Sequence, residues 1–301
     1  MGWPSMSVAL TYLAVLVFFA GVILRAAKYA RAPMHLRWEL YPVPHEKGRA
    51  YGGSYFEEVD WWTHPRETSL AAEIVAMLEE MLLIRSLWRH NRPQWYASFP
   101  FHIGLYLLVG FIVLLAMGAG LEQPLGAASP LWAALQALTV IVGVVGLFSA
   151  TIGAILLLWR RSFVPVLRAA SSFADYFNLA FLLAVFLSAG FAWITADPTF
   201  GLLQGYLRGF LTLSPAPGSY PAITAEVALA SLFMIYLPFT HMTHFVAKYF
   251  TYHQVRWDDA PNLGDANMQT RIMANLSRPV GWSAPHIQPE KSWAEAATEV
   301  E

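Results

Sequence analysis

The chain alternates between long apolar blocks and short polar stretches, and the blocks have the length that crosses a bilayer, about 20 residues. Five such blocks are predicted to be transmembrane helices, at about 7–29, 98–120, 131–158, 173–195 and 223–250. The fold class expected is therefore an all-α membrane protein, a bundle of five transmembrane helices. The first block is too long, too weakly basic at its start and without a cleavage-like end to be a signal peptide, so it reads as an anchor. Between blocks one and two, the stretch Ser69–His90 has a helical period with Glu79, Glu80, Arg85 and Arg89 in its second half. Such a segment cannot span and reads as an amphipathic helix, lying on the interface or under a partner.

The layout divides the chain into a first transmembrane helix at 1–30 and a cytoplasmic loop at 31–95 that carries the amphipathic helix. Transmembrane helices two to five with the cofactor site follow at 96–252, and a cytoplasmic tail at 253–301. The first half of the loop is rich in Pro, Gly and aromatics and predicts an irregular belt at headgroup depth. The tail holds Pro261, Pro279, Pro285 and Pro289 with Trp282 and Trp293, and little helical period. It is expected either to be disordered or to lie as a strap on a soluble subunit.

Composition sharpens the class: 56% of residues are hydrophobic and 13% charged. The segment ends at 1–6, 121–130 and 196–222 share one basic residue, Arg208, whereas the opposite ends carry nearly all the others. The bias places the N-terminus outside and the C-terminus inside. There is no cysteine, which excludes thioether-attached haem, cysteine-held iron–sulfur clusters and disulfides. A net charge of −1 gives no sign of nucleic-acid binding. No metalloprotease, phosphate-loop or nucleophile-elbow motif is present.

The candidate chemistry lies with histidine. His102, in FPFHIGLYLLVG, falls just inside block two, and His244, in PFTHMTHF, near the end of block five. An ionisable ring in hydrocarbon is costly, and neutral imidazole is a good ligand for iron. Blocks two and five run in opposite directions, so the two rings reach matching depth, as a bis-histidine haem requires. Gly104 and Gly110 would let a flat macrocycle approach, and Pro238 would bend helix five around it. His241 precedes His244 by three residues and shares its helical face, which makes it an alternative ligand or a partner of a propionate or quinone. His90 and His253 form a second candidate pair nearer the polar side, within about 18 Å and 14 Å of His102 and His244 along continuous helices. Arg92, Lys248 and Arg256 are candidate propionate partners by depth. His241, Tyr96 and Asp175 are the polar groups on offer to a quinone. Gly143, Gly146, Ser149 and Gly153 read as close helix packing. The bland alternative for each histidine is a hydrogen bond within the bundle or at the interface.

FHIG at 101–104 and PFTHMTHF at 238–245 resemble the cytochrome b (gamma) subunit of respiratory nitrate reductases. YFTYHQVRWDD at 249–259 resembles a branch of that family, the membrane subunits of heterodisulfide reductases and of sulfite-reduction complexes. The resemblance implies a haem b protein of the prokaryotic cytoplasmic membrane, the quinone-reactive subunit of an oxidoreductase. It would relay electrons between membrane quinone and a cytoplasmic-side iron–sulfur subunit. By match, His102 and His244 take the place of the pair holding the haem nearest that subunit. The second pair of the nitrate reductase type falls on Ile112 and Glu226, and blocks three and four contain no histidine. One haem b is therefore expected, with a second as the alternative, and an electrically silent quinone step. The rival readings are the nitrate reductase gamma subunit proper and a non-redox transporter or scaffold.

Overall fold

The computed structural model describes residues 3–32, 43–47, 54–64, 67–126, 128–214, 220–257, 266–285 and 287–298. Among them the regular structure is helical, with no strand beyond isolated bridges. Five helical stretches are long and apolar enough to cross a membrane: Ser7–Ala30, Arg92–Glu122, Pro130–Phe163, Phe173–Thr195 and Pro221–Phe239. They are the five expected blocks. They belong to helices α1 (Trp3–Ala30), α4 (Arg92–Leu125), α5 (Pro130–Phe163), α7 (Phe173–Thr195) and α9 (Pro221–Tyr236). The shorter helices are α2 (Leu70–Leu83), α3 (Arg85–His90), α6 (Pro165–Ala169), α8 (Gly201–Leu211), α10 (His244–Phe250), α11 (Ala266–Leu276) and α12 (Trp293–Thr298).

The chain forms two compact units. The first comprises Met1–Ala26 and Leu70–Phe245, the second Ala27–Ser69 and Val246–Glu301. In the first unit the closest packing joins α4 to α5, and small residues make it so. A side-chain carbon on Gly153 would meet the backbone nitrogen of Phe101 at 2.3 Å, and one on Gly104 would meet that of Ala150 at 2.3 Å. Further along, Gly146 faces Leu107 at 3.0 Å and Gly143 faces the Phe111 ring at 2.7 Å. Phe101, Leu147, Ala150, Ala154, Leu179 and Phe186 are buried around this seam, so α7 completes the core. The packing role read for Gly143, Gly146 and Gly153 is what these contacts show. The role expected of Gly104 is not: it admits α5, and no space remains there for a macrocycle. Gly110, by contrast, has nothing within 4 Å of where a side chain would start.

Three further departures from the sequence reading have local causes. The helix expected over 69–90 is broken at Ile84, which sits in the left-handed region at φ 50°, and none of the residues of α2 is buried. The polar stretch 196–222 contains α8, where the buried Gln204 and Gly209 pack inward. The fifth span ends early. Pro238 is fully buried, and a carbon on Gly21 would meet its Cβ at 2.5 Å. The α-helix stops at Tyr236, passes through a 3-10 turn at Leu237–Phe239, and opens at Thr240, whose backbone is extended. Pro238 lacks an N–H and crowds the preceding turn, which is the expected cause.

The second unit has its own small core. Val43, His45, Glu46, Ser54, Tyr252, Trp257 and Val280 are buried, and the Ser54 hydroxyl donates to Glu46 at 2.7 Å. The tail was expected to lack helical order, yet it holds α11 and α12. The N–H of Val280 donates to Lys291 O at 2.7 Å, and Ser292 with Glu295 caps α12. The loop segments carry 3-10 turns at Tyr55–Glu57 and Trp61–Thr63. Pro261, His35 and His286 lie outside the described residues.

If the glycine seam sets the spacing of α4 and α5, Gly153→Val should lower stability by about 1–3 kcal/mol through overpacking. Gly110→Ala, in open space on the partner helix α4, should be neutral or stabilising by up to about 1 kcal/mol. Thermal unfolding of the two variants in one detergent would separate these outcomes.

Candidate functional site

His102 lies ten residues after Arg92, three turns into α4. Phe101 and Gly104 on its two sides are turned to α5, and at 100° per residue that geometry points His102 away from the seam. Its ring is oriented from within its own helix. The Nδ1–H donates to the Ser98 carbonyl one turn back at 2.7 Å, with the Ser98 hydroxyl 3.2 Å from the same nitrogen. With the proton on Nδ1, the lone pair of the neutral ring sits on Nε2, the arrangement of a metal-binding histidine whose second nitrogen is anchored. Ser98 went unremarked in the sequence. An i−4 serine carries no signal until the histidine is known to need an acceptor.

The partner ring comes from beyond the break in span five. Thr240 restarts the chain: its Oγ1 accepts from the Met242 N–H at 3.1 Å and donates to the Leu237 carbonyl at 2.9 Å. A 3-10 turn over His241–Thr243 follows, with Thr243 fully buried, and α10 begins at His244. The centroid of the His244 ring lies 6.2 Å from that of His102, with the planes at 72°. His244 is thus not inside a continuous spanning helix, as the sequence suggested, but at the head of a short one.

The break also separates His241 from His244. In an uninterrupted α-helix the two would share a face, but the extended Thr240 and the 3-10 turn remove that register. The Nε2 of His241 lies 3.5 Å from Asp175 on α7, and the same carboxylate is 3.6 Å from Arg161 on α5. Asp175 is in turn fixed by a capping box: the backbone N–H and hydroxyl of Ser172 both donate to its Oδ2 at 2.8 Å. Arg161, Asp175 and His241 therefore form one polar cluster, while His102 and His244 form a separate pair.

The remaining sequence candidates fall into different surroundings. His90 is exposed and its Nδ1 lies 2.8 Å from the Ser86 carbonyl. Arg92 places its guanidinium 4.7 Å from the centre of the Trp88 ring. Tyr96 is exposed beside Trp88 and Trp95, in an aromatic group that continues to Phe99. His253, Lys248 and Arg256 belong to the second unit. There the His253 ring centre lies 4.2 Å from that of Tyr249, tilted by 36°, and both cations approach the Tyr252 ring, at 5.1 Å and 4.9 Å. His90 and His253 lie in different units and are each accounted for locally.

At the other end of the first unit is a cavity of about 600 Å³, lined by Glu122, Trp132, Gln136, Gln204 and Arg208 among others. Gln136 donates to the buried Gln204 at 2.7 Å, and Arg208 pairs with Glu122 and donates to the Ala119 carbonyl at 3.1 Å. Gly118 lies against Gln204 there, and it is sixteen residues beyond His102, about 24 Å along α4. Only isolated polar letters announce this layer in the sequence, too far apart for any motif.

Among the described residues no group of three or more His, Asp or Glu side chains is gathered as a metal site. What the chain offers is two imidazoles. Metal–nitrogen bonds of roughly 2 Å put the centres of two rings on opposite sides of one metal about 6 Å apart. The donor type and the separation thus both fit an axially ligated iron. Residues 86–258, more than half of the chain, match the nitrate reductase gamma subunit family. The match runs from α3 to the turn after α10, leaving α1, α2 and the tail outside it. No curated protein matches the chain. With five apolar spans and a facing histidine pair in the matched region, the chain belongs to the nitrate reductase gamma subunit family, the membrane haem b electron-transfer subunits of oxidoreductase complexes, and is a multi-pass protein of the inner membrane.

Proposed function

We propose that this chain holds one b-type haem between His102 and His244. It would relay electrons between membrane quinone and an iron–sulfur subunit on the cytoplasmic side. The observation that carries the reading is the 6.2 Å separation of the two rings, which come from helices far apart in sequence. A haem bound this way supplies one-electron exchange at a six-coordinate iron.

The protein's part is to present two neutral nitrogens at a fixed place. Ser98 keeps the proton of His102 on Nδ1, and the α4–α5 seam holds the helix that carries it. Thr240 and the buried Thr243 hold the turn that starts α10 and presents His244. His241 is the weaker ligand candidate because it faces Asp175. The His241–Asp175 pair is instead the better placed polar group for a quinone, ahead of the exposed Tyr96. A quinol gives up two electrons and two protons, so it needs a nearby proton acceptor as well as the haem. Arg92 is the candidate counter-charge for the haem propionates within the first unit, with the N-terminus outside and the C-terminus inside.

The absence of histidine at Ile112 and Glu226 favours a single haem over the two of the nitrate reductase type. It also favours the branch that serves heterodisulfide reductase and sulfite-reduction complexes. The distant cavity bears on this: with about 24 Å of helix between it and His102, a quinone there would need a second cofactor to reach the first. A quinone near the basic end needs none.

Two measurements test the reading. Purified protein should show one b-type haem per chain in a reduced-minus-oxidised spectrum. His102→Ala and His244→Ala should each lose it, whereas His241→Ala should keep it. A haem retained by both of the first two variants sinks the assignment, and two haems per chain sink the single-haem form. Second, quinone turnover by the complex in closed vesicles should leave a potential-sensitive dye unmoved, because quinone and haem lie at the same membrane face. A dye response that collapses when the membrane is made proton-permeable would show charge crossing the bilayer.

A further inference from the structure

The helix α2 (Leu70–Leu83) lies outside the five spans, yet apart from Glu73, Glu79 and Glu80 its residues are apolar. Its large side chains Leu70, Ile74, Val75, Leu78, Leu82 and Leu83 are between 44% and 67% exposed. No Lys or Arg occurs between Arg66 and Arg85. Its acidic residues near the C-terminal end are turned to the start of α3. Glu79 pairs with Arg85, and Glu80 accepts from the Ser86 N–H at 2.8 Å. A helix in water does not leave six large aliphatic side chains uncovered.

The fastening of α2 tells what covers it. The Tyr106 hydroxyl donates to the Met81 carbonyl at 2.7 Å, and the Trp95 ring N–H donates to the Leu83 carbonyl at 2.8 Å. Both donors are on α4 and share its His102 face: Tyr106 is four residues after His102 and Trp95 seven before it. Tyr106 is fourteen residues past Arg92, about 21 Å along the helix. A tyrosine reaches roughly 6.5 Å from its Cα, so Met81 lies at least about 11 Å beyond the level of Arg92. The level of Arg92 is polar, because Gln94 there accepts from Arg160 at 2.8 Å. The C-terminal end of α2 is therefore held below the headgroup layer, where a subunit resting on the membrane surface does not reach. Beyond Tyr106 the same side of α4 continues as the exposed Val109 and Val113, a lipid-facing surface of a spanning helix.

From this we infer that α2 is embedded in the leaflet at the basic end of the bundle, with lipid acyl chains as the occupant of its apolar surface. It forms a wall along the His102 face of α4. The inference rests on the membrane-spanning fold and not on the haem.

The cysteine-free chain permits a direct test. Leu78→Cys and Val75→Cys, in the purified chain reconstituted into lipid, are reacted with a charged maleimide on sheets open to both faces. Glu67→Cys, replacing a charged loop side chain that is 70% exposed, is the aqueous reference, and Val113→Cys the lipid reference. Both α2 thiols should react at least about tenfold more slowly than the loop thiol, and like Val113→Cys. Reaction within about twofold of the loop thiol would put α2 in water and overturn the inference. So would α2 thiols that are reactive in the purified chain and protected only in the native complex, since another subunit would then be the cover. Haem content is counted in the same samples, so failure of the haem assignment would register separately.

Discussion

Everything placed at the basic end of this bundle depends on how closely α4 and α5 approach. The backbones meet where Gly104 faces Ala150 and Gly153 faces Phe101, with no room for one more carbon on either glycine. Lipid tails are as apolar as leucine, so helices in a bilayer associate through packing of this kind and not through expulsion of water. The seam has a directional consequence. It commits one side of α4 to α5, so the opposite side, with Trp95, Phe99, His102 and Tyr106, is left for other work. One polar ring on that side is fastened by its own helix through Ser98. Two more groups, Trp95 and Tyr106, fasten α2.

The second constraint is the break in span five. A spanning helix can be interrupted only where its freed backbone groups find partners. Here the partners are supplied within a few residues: Thr240 bonds the chain on both sides of itself, and Thr243 donates to the Thr240 carbonyl at 2.8 Å. The interruption redistributes the two histidines. An unbroken helix would stack His241 and His244 on one side. The broken one sends His241 to the Asp175–Arg161 cluster and His244 to His102. Each ring thus gains a distinct neighbour from a different helix, which divides ligand and proton chemistry in the reading proposed for the chain.

These two features also mark where the sequence was legible and where it was not. Hydropathy over 20 residues is a sum, so it located all five spans despite end errors that reach eleven residues where span five breaks. The small residues Gly143, Gly146 and Gly153 were readable as packing because they repeat along one side of a helix. Gly104 was misread because its closeness to His102 in sequence suggested a shared purpose, whereas neighbours two residues apart point to different sides. The break at Thr240 was half visible: Pro238 announced a bend, but the extended residue two places later depends on the buried fit of Pro238 against Gly21. Tertiary contact of that kind leaves no local trace. The same is true of the Asp175 cluster, whose three members lie on separate elements, and of the left-handed Ile84 that divides α2 from α3.

The polar groups of the far end allow one more step. Gln204, Gln136, Asp197, Arg208 and Glu122 are engaged with one another or with backbone. Asp197 is buried and accepts from the Leu203 N–H at 2.9 Å, and Tyr206 on α8 reaches Thr11 of α1, which also contacts Ser231 of α9. An amide or carboxylate buried in a membrane is tolerated when its hydrogen bonds are met. Here they are met by protein, through the short helix α8 that the hydropathy pattern did not predict. Together with Thr11, Tyr206 and Ser231, these residues make bonds that tie α1, α4, α5, α8 and α9 together. The far end therefore has the construction of a structural cap.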